Sequence, residues 1–74
     1  MKIELFGQLT DIAGSNTITV EASDTDALVQ AVNYKYPAMA GIKYIVAVDK
    51  KNILVNTVIS EASNIALLPP FSGG

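Results

Sequence analysis

Apolar and polar residues alternate at the start of the chain. Ile3 and Leu5 are apolar, whereas Lys2 and Glu4 are charged. Successive side chains of a β-strand point to opposite faces, so this period of two predicts a strand with one apolar face. Phe6 breaks the pattern, because it places a large aromatic side chain on the polar face. This side chain is either a partner contact or is covered by a short helix that follows it.

A turn and a second strand come next. Residues 8–13 are weakly patterned and predict about one helical turn. The glycine, serine and asparagine at 14–16 form a turn signal. Residues 17–21 are rich in β-forming side chains, and Ile18 and Val20 fall on one face. This segment is predicted to pair as a short strand.

Residues 24–36 carry the clear helical pattern of the chain. Ser23 or Asp24 can cap its first turn, where acidic side chains also suit the positive end of the helix dipole. Pro37 ends the helix, because proline disfavours helical geometry at the residue before it. The apolar positions at helical spacing are Leu28, Val29, Val32 and Tyr36.

Three further strands are predicted in the second half of the chain. Residues 44–48 form a nearly continuous apolar run, which is typical of a central strand. A polar turn at 49–52 separates this run from the apolar residues 53–55, so the two predict a hairpin. Val58 and Ile59 suit a short additional piece, and residues 65–68 form the last strand.

The order of these elements predicts an α+β fold. One helix covers one face of a sheet, which gives two layers. Placing the first and last strands side by side requires a right-handed crossover through the helix. The result is a β-grasp (ubiquitin-like) arrangement, with a mixed sheet of about five strands packed on one main helix. We expect this domain to span residues 1–68 and an extended tail to span residues 69–74.

Composition narrows the possible functions. The chain has 74 residues, enough for one domain, of which 50% are hydrophobic and 16% are charged. It contains no cysteine, histidine or arginine, and its net charge is −2. Thiolate chemistry, a histidine base and the basic stripe of a nucleic-acid binder are therefore excluded. No apolar run approaches the ~20 residues of a membrane span. Glu4 stands where a signal peptide would be apolar, so we expect a cytoplasmic protein.

The C-terminus carries the chemical signal. The chain ends in Pro69-Pro70-Phe71-Ser72-Gly73-Gly74. Two prolines restrict the backbone to a stiff, extended exit. The last two glycines have no side chains, so they can pass through a narrow tunnel and deliver the terminal carboxylate to a buried site. The alternative is a disordered end that is glycine-rich by chance.

This terminus, directly after Ile65-Ala66-Leu67-Leu68, resembles that of the molybdopterin synthase small subunit. That family of sulfur carriers is ubiquitin-like in fold and ends in a Pro-Pro-x-x-Gly-Gly tail. The opening Lys2-Ile3-Glu4-Leu5-Phe6-Gly7-Gln8 is also similar to that family's first strand. The resemblance covers essentially the whole chain, although the middle matches in pattern rather than in motif.

The resemblance implies a mechanism in which the C-terminus of Gly74 carries sulfur. Gly73 has no side chain and lets that sulfur reach the partner's active site. An adenylating (E1-like) enzyme would use ATP and Mg²⁺ to activate the Gly74 carboxylate, and a sulfur donor protein would convert it to a thiocarboxylate. The large subunit of molybdopterin synthase would then accept the tail. The resemblance implies no catalytic residue, metal site or bound cofactor on this chain itself. It places the remaining residues in the partner surface, namely Phe6, Leu67, Leu68, Pro69, Pro70, Phe71 and Ser72.

Two other functions stay open at this stage. A sulfur carrier for thiazole synthesis has a related tail, although two prolines before the aromatic residue favour the molybdopterin pathway. A ubiquitin-like protein modifier, or a plain interaction module, would also suit a β-grasp domain. A modifier would form isopeptide adducts on lysines, and an interaction module would tolerate loss of the tail.

Overall fold

Five strands form one mixed sheet in the computed structural model, which describes residues 1–70. The strand order across the sheet is β2-β1-β5-β3-β4. β1 and β5 are parallel neighbours in the interior of the sheet, and the other pairs are antiparallel. The predicted pairing of the first and last strands is therefore confirmed. The strands are β1 (Lys2–Leu5), β2 (Thr17–Thr19), β3 (Ile45–Val48), β4 (Lys51–Asn52) and β5 (Ile65–Leu68).

The main helix lies where its sequence pattern predicts it. Helix α2 spans Thr25–Lys35, and the Asp24 carboxylate caps it by accepting a 2.8 Å hydrogen bond from the backbone N–H of Ala27. Of the two possible caps, Asp24 is the one used. After α2, Pro37–Gly41 forms a 3₁₀ helix. The predicted helical turn after β1 is the short helix α1 (Gln8–Ala13).

The hydrophobic core lies between α2 and one face of the sheet. Alternate residues of β1 and β5 point into it, and α1 and the 3₁₀ helix each add one fully buried side chain. Complete burial of an aliphatic side chain stabilises a fold by roughly 1.5–3 kcal/mol. The largest fully buried side chains are Ile3, Leu9, Leu28, Val32, Met39 and Leu67.

The hairpin differs from its prediction. Its turn consists of Asp49 and Lys50 alone, with φ angles of 50° and 70°, and Val48 pairs directly with Lys51. Left-handed geometry at both turn residues matches the twist of the flanking strands, so pairing begins at once. The predicted strand at 53–55 is therefore wrong, because β4 lies two residues earlier in a polar segment. The hydrophobic pattern gave no sign of this register.

The loop after β4 is fastened to the start of α2. The Thr25 backbone N–H donates to the Thr57 carbonyl oxygen at 2.9 Å, and the Thr57 N–H donates to the Thr25 hydroxyl at 2.9 Å. Asn56 Oδ1 accepts from the Asp26 N–H at 2.9 Å. Val58 makes an isolated antiparallel bridge to Asp24, at the position of the predicted short piece. Across residues 1–70, no helix is both long and apolar enough to cross a membrane.

Candidate functional site

The face of the sheet opposite α2 is an open surface. An open depression of about 950 Å³ lies over it. The alternation along β1 and β5 explains its lining, because residues between the core positions point outward. Its polar lining comes from β1, where Lys2 and Glu4 point away from the core, and also from β2, the β3–β4 hairpin and the loop before β5. Phe6, Ala66 and Leu68 contribute apolar surface to the same depression.

Three apolar residues meet at the end of this face from which the chain leaves β5. Leu68 lies opposite Ile45 in the antiparallel pair of β5 and β3, so both side chains share the outer face. Phe6 follows β1 directly, and its backbone N–H donates to the Leu67 carbonyl oxygen at 3.2 Å. We call Phe6, Ile45 and Leu68 the exit patch. The exit patch lies at the end of β5, where the predicted tail begins.

Phe6 is exposed rather than covered by a neighbouring helix. Its relative exposure is 44%, although α1 begins only two residues later. Of the two explanations that the sequence allowed, cover by the short helix is therefore excluded. The structure leaves Phe6 available to a partner, as the sequence predicted, and its contact with one stays a prediction.

Leu67 lies on the opposite side of the sheet from Leu68. Its side chain is fully buried in the core. The expected partner contact at Leu67 is therefore corrected, because its register places it on the inner face, where no surface is left for a partner. Leu68 is half-buried on the outer face, and its predicted contact with a partner stays a prediction.

Gly7 and Pro69 are in close contact where the tail begins. Gly7 has φ 57° and ψ −136°, a backbone conformation that glycine adopts far more readily than other residues. A β-carbon at this position would lie 2.8 Å from Cγ of Pro69, which is closer than van der Waals contact allows. The proline ring therefore packs directly on the glycine backbone. Pro69 is half-buried by its surroundings, whereas Pro70 is exposed.

The predicted tail continues beyond the residues that the structure describes. Pro69 and Pro70 lie within them, at the end of β5. Phe71, Ser72, Gly73 and Gly74 lie outside them, so their predicted roles stay predictions. Within the described part of the chain, no group of three or more carboxylate, imidazole or thiol side chains could hold a metal ion.

The titratable groups with shifted pKa values lie away from the exit patch. At the other end of β1, the Met1 amino group pairs with Glu21, and this hydrogen bond raises the pKa of the amine and lowers that of Glu21. Glu61 approaches the same amine at 3.5 Å. Burial raises the pKa of Tyr44 to about 12, and its hydroxyl faces α2 by donating to Asn33. Met1, Glu21 and Tyr44 are not among the residues that line the depression, whereas Glu61 is one of them.

Two site residues were missed by the sequence prediction. Ile45 was taken as one member of a buried apolar run, and only its register with Leu68 places it on the outer face. Gly7 follows the first strand, and the sequence prediction gives it no role in the site. Its position between an alternating strand and a helix was a signal for unusual backbone geometry, but nothing local pointed to Pro69.

Comparison with known proteins gives one family match. The ThiS family model matches residues 3–74. The match therefore includes the terminal glycines as well as the sheet and the helices. No curated protein matches the chain with significance.

Solved structures share the fold. Small archaeal modifier protein 1 from Methanosarcina acetivorans has a TM-score of 0.84 and 22% identity, over 99% of this chain and 94% of that one. The same protein from Haloferax volcanii has a TM-score of 0.81 and 22% identity, over 99% and 97%. A chain in the complex of subunits 1 and 2 of molybdopterin-converting factor from Helicobacter pylori has a TM-score of 0.69 and 23% identity, over 99% and 96%. These similarities confirm the predicted β-grasp fold.

Proposed function

Because this chain belongs to the ThiS family, whose members are ubiquitin-like sulfur carriers, we propose that it is the sulfur-carrying small subunit of a molybdopterin synthase. Its terminal Gly74 carboxylate is activated elsewhere, converted to a thiocarboxylate and delivered to a large subunit. The similarity in fold to a subunit of molybdopterin-converting factor supports this proposal. So does the resemblance of the Pro-Pro-x-x-Gly-Gly terminus to that of molybdopterin synthase small subunits.

One observation carries the proposal. β5 is an interior strand of the sheet, paired on both sides, and it continues without a turn into Pro69 and Pro70. Because β5 is hydrogen-bonded to a strand on each side, the point at which the tail begins is held firmly in the sheet. Pro70 is exposed, and the two terminal glycines follow it in the sequence by three and four positions. A firm base with a narrow end suits insertion into a partner's active site.

The chemistry requires an activated carboxylate. A free carboxylate is a poor electrophile, because its negative charge is shared by two oxygens. Attack of the Gly74 carboxylate on ATP forms an acyl adenylate and releases pyrophosphate. Sulfide from the sulfur donor then forms the C–S bond while the C–O bond to AMP breaks, which leaves a thiocarboxylate and AMP. That sulfur is a better nucleophile than oxygen. It forms a C–S bond to the sulfur-free cyclic pterin precursor as an oxygen group leaves, and water then cleaves the acyl–sulfur bond, which returns the Gly74 carboxylate.

The partners supply the catalytic groups. The chain has no histidine, cysteine or arginine in its sequence, so it offers few groups for proton transfer or for binding the phosphates of ATP. The activating enzyme binds ATP and Mg²⁺, and the large subunit binds the pterin. This chain contributes the carboxylate, the reach of the tail and a docking surface.

The exit patch is the docking surface in this proposal. Phe6, Ile45 and Leu68 lie beside the base of the tail, so a partner that covers them also receives the residues that follow Pro70. Aromatic anchors at the centre of an interface contribute most of its binding energy. Phe71 lies outside the described residues, and its contact with a partner stays a prediction.

Intact-mass measurement tests the proposal directly. The purified chain is incubated with an adenylating enzyme of this family, ATP, Mg²⁺ and a sulfur source. We expect a mass increase that equals exchange of one oxygen for one sulfur, followed by molybdopterin formation when the large subunit and the pterin precursor are added. The matched variants delete Gly74 or append one alanine, and both should abolish sulfur loading while the circular dichroism spectrum stays unchanged. Full activity in either variant would refute the proposal.

A second candidate function is a ubiquitin-like modifier. The similarity in fold to small archaeal modifier protein 1 favours it. In that case the activated Gly74 carboxylate is attacked by a lysine amine, and an isopeptide bond forms. Mass spectrometry of digested lysates distinguishes the two functions, because a modifier leaves its C-terminal peptide attached to target lysines. After cleavage at Lys51, the last lysine of the chain, that peptide spans residues 52–74. Thiocarboxylate without such adducts supports the carrier function.

A further inference from the structure

We propose that Gly7 is a positioning residue for the tail. Its contact with the ring of Pro69 sets the direction in which the chain leaves β5, and so where the terminal carboxylate is presented. This inference rests on the proposed function, because a positioned carboxylate matters only if it reacts. It assigns a role to a residue that lies far from the terminus in sequence and carries no reactive group.

Gly7 is held from two sides. Before it, the Phe6 N–H donates to the Leu67 carbonyl oxygen at 3.2 Å, which ties this segment to β5. After it, the Gly7 carbonyl oxygen accepts from the Thr10 N–H at 3.1 Å, and the Thr10 hydroxyl donates to the Leu5 carbonyl oxygen at 3.3 Å. The strand and the helix therefore fix the backbone of Gly7 as a rigid surface.

Pro69 fits this surface because of what both residues lack. Gly7 has no β-carbon, which leaves the space that Cγ of Pro69 occupies. Pro69 has no backbone N–H to pair, and its ring restricts φ. The ring thus packs on Gly7 as the chain leaves β5, and the following Pro70 extends the stiff segment.

Direction at Pro69 has a large effect further along the chain. Gly74 follows Pro69 by five positions. The direction of the chain at Pro69 therefore sets the angle from which the last residues must enter a partner's tunnel. Misplacement of a reacting group by about 1 Å can lower a rate 100-fold. The packing of the Pro69 ring on Gly7 therefore affects the rate of adenylation.

The chain offers a matched control for this contact. Gly7 and Gly14 flank helix α1 on either side. Gly14 has φ 75° and has nothing within 4 Å of the position that a β-carbon would occupy. Gly14→Ala therefore introduces an alanine with positive φ just after α1 without touching Pro69. Gly7→Ala adds the clash with the proline ring, and its ψ of −136° lies outside the left-handed helical region that Gly14 adopts.

Two measurements distinguish the contact between Gly7 and Pro69 from its effect on thiocarboxylate formation. The first is the nuclear Overhauser effect between the α-protons of Gly7 and the ring protons of Pro69. We expect it in the wild type and in Gly14→Ala. The second is the kinetics of thiocarboxylate formation with the adenylating enzyme. We expect Gly7→Ala to lower kcat at least tenfold with little change in KM, because docking through the exit patch is retained, and Gly14→Ala to leave both constants unchanged.

Pro69→Ala keeps the test decisive if Gly7→Ala does not fold. It removes Cγ without straining Gly7, so the fold should be retained, and kcat should fall as in Gly7→Ala. In the double variant, the loss should be no larger than in Pro69→Ala alone, because the two residues act through one contact. Additive losses would show that Gly7 acts independently of Pro69 and would overturn the inference.

The remaining outcomes are distinguishable. If the wild type forms no thiocarboxylate, the proposed function fails, and the role of Gly7 in it fails as well. If the wild type reacts and both Gly7→Ala and Pro69→Ala keep the wild-type kcat, only the positioning role is overturned. Absence of the nuclear Overhauser effect in the wild type overturns the contact itself.

Discussion

Leu67 and Leu68 are adjacent on β5 and lie on opposite faces of the sheet. Leu67 is fully buried against the core, whereas Leu68 is half-buried on the outer face opposite Ile45. The alternation of side chains along a strand accounts for this division. One leucine therefore supports the fold, and its neighbour is available for docking beside the tail.

Leu67→Ala should destabilise the protein strongly. Removing a fully buried leucine costs about 2–5 kcal/mol, because the transfer free energy is lost and a cavity is left. Leu68→Ala is the matched control and should cost much less. Urea denaturation followed by circular dichroism measures both free energies of unfolding. Equal losses would contradict the assignment of the two faces.

Phe6→Ser and Leu68→Ser should weaken binding to the large subunit. Each removes apolar surface from the exit patch, and a central aromatic anchor is worth about 2 kcal/mol or more. Leu54→Ser is the control, because Leu54 is 95% exposed on the loop after β4 and lies outside the patch. Isothermal titration calorimetry gives the dissociation constants. A loss with Leu54→Ser, and none with Phe6→Ser, would move the interface to that loop.

Lys50→Gly should stabilise the hairpin. Lys50 has φ 70°. Left-handed backbone geometry at a residue with a β-carbon lowers the free energy of unfolding by about 1 kcal/mol relative to glycine. Asp-Gly is a preferred pair for two-residue turns of this kind. The melting temperature should therefore rise in Lys50→Gly. Lys51→Gly, within β4, is the control and should lower it, since glycine weakens strands. The reverse order would contradict the turn geometry.

Tyr44 should make stability depend on pH in the alkaline range. Burial raises the pKa of Tyr44 to about 12, above the value of about 10 in an unfolded chain. Between these values the unfolded state has lost the proton that the folded state keeps. The contribution of protonated Tyr44 to the free energy of unfolding is thus complete below about pH 10 and is lost as the pH rises toward 12.

Tyr44→Phe is the control for this titration. It removes the hydroxyl that donates to Asn33 Oδ1 at 2.8 Å, which should cost about 1 kcal/mol near neutral pH. Above pH 10, the stability of the wild type should fall toward that of the variant. Urea denaturation at a series of pH values measures both. Parallel curves through this range would rule out the shift at Tyr44.

Features that depend on neighbouring residues were predicted from the sequence. Helix α2 lies where Pro37 and a capping residue placed it, because a helix is held by contacts within a few positions. The outward position of Phe6 followed from the period of two in β1. The glycine terminus and its resemblance to sulfur carriers were likewise visible without any structure.

Features that depend on pairing between distant segments appeared only in the structure. Ile45 joins Leu68 on the outer face through the register of β3 with β5. Gly7 meets Pro69 because β1 and β5 are parallel neighbours, which brings both of their carboxyl ends to the same edge of the sheet. Local patterns determine what each segment forms, and strand register determines which segments share a surface, since register depends on packing across the whole core.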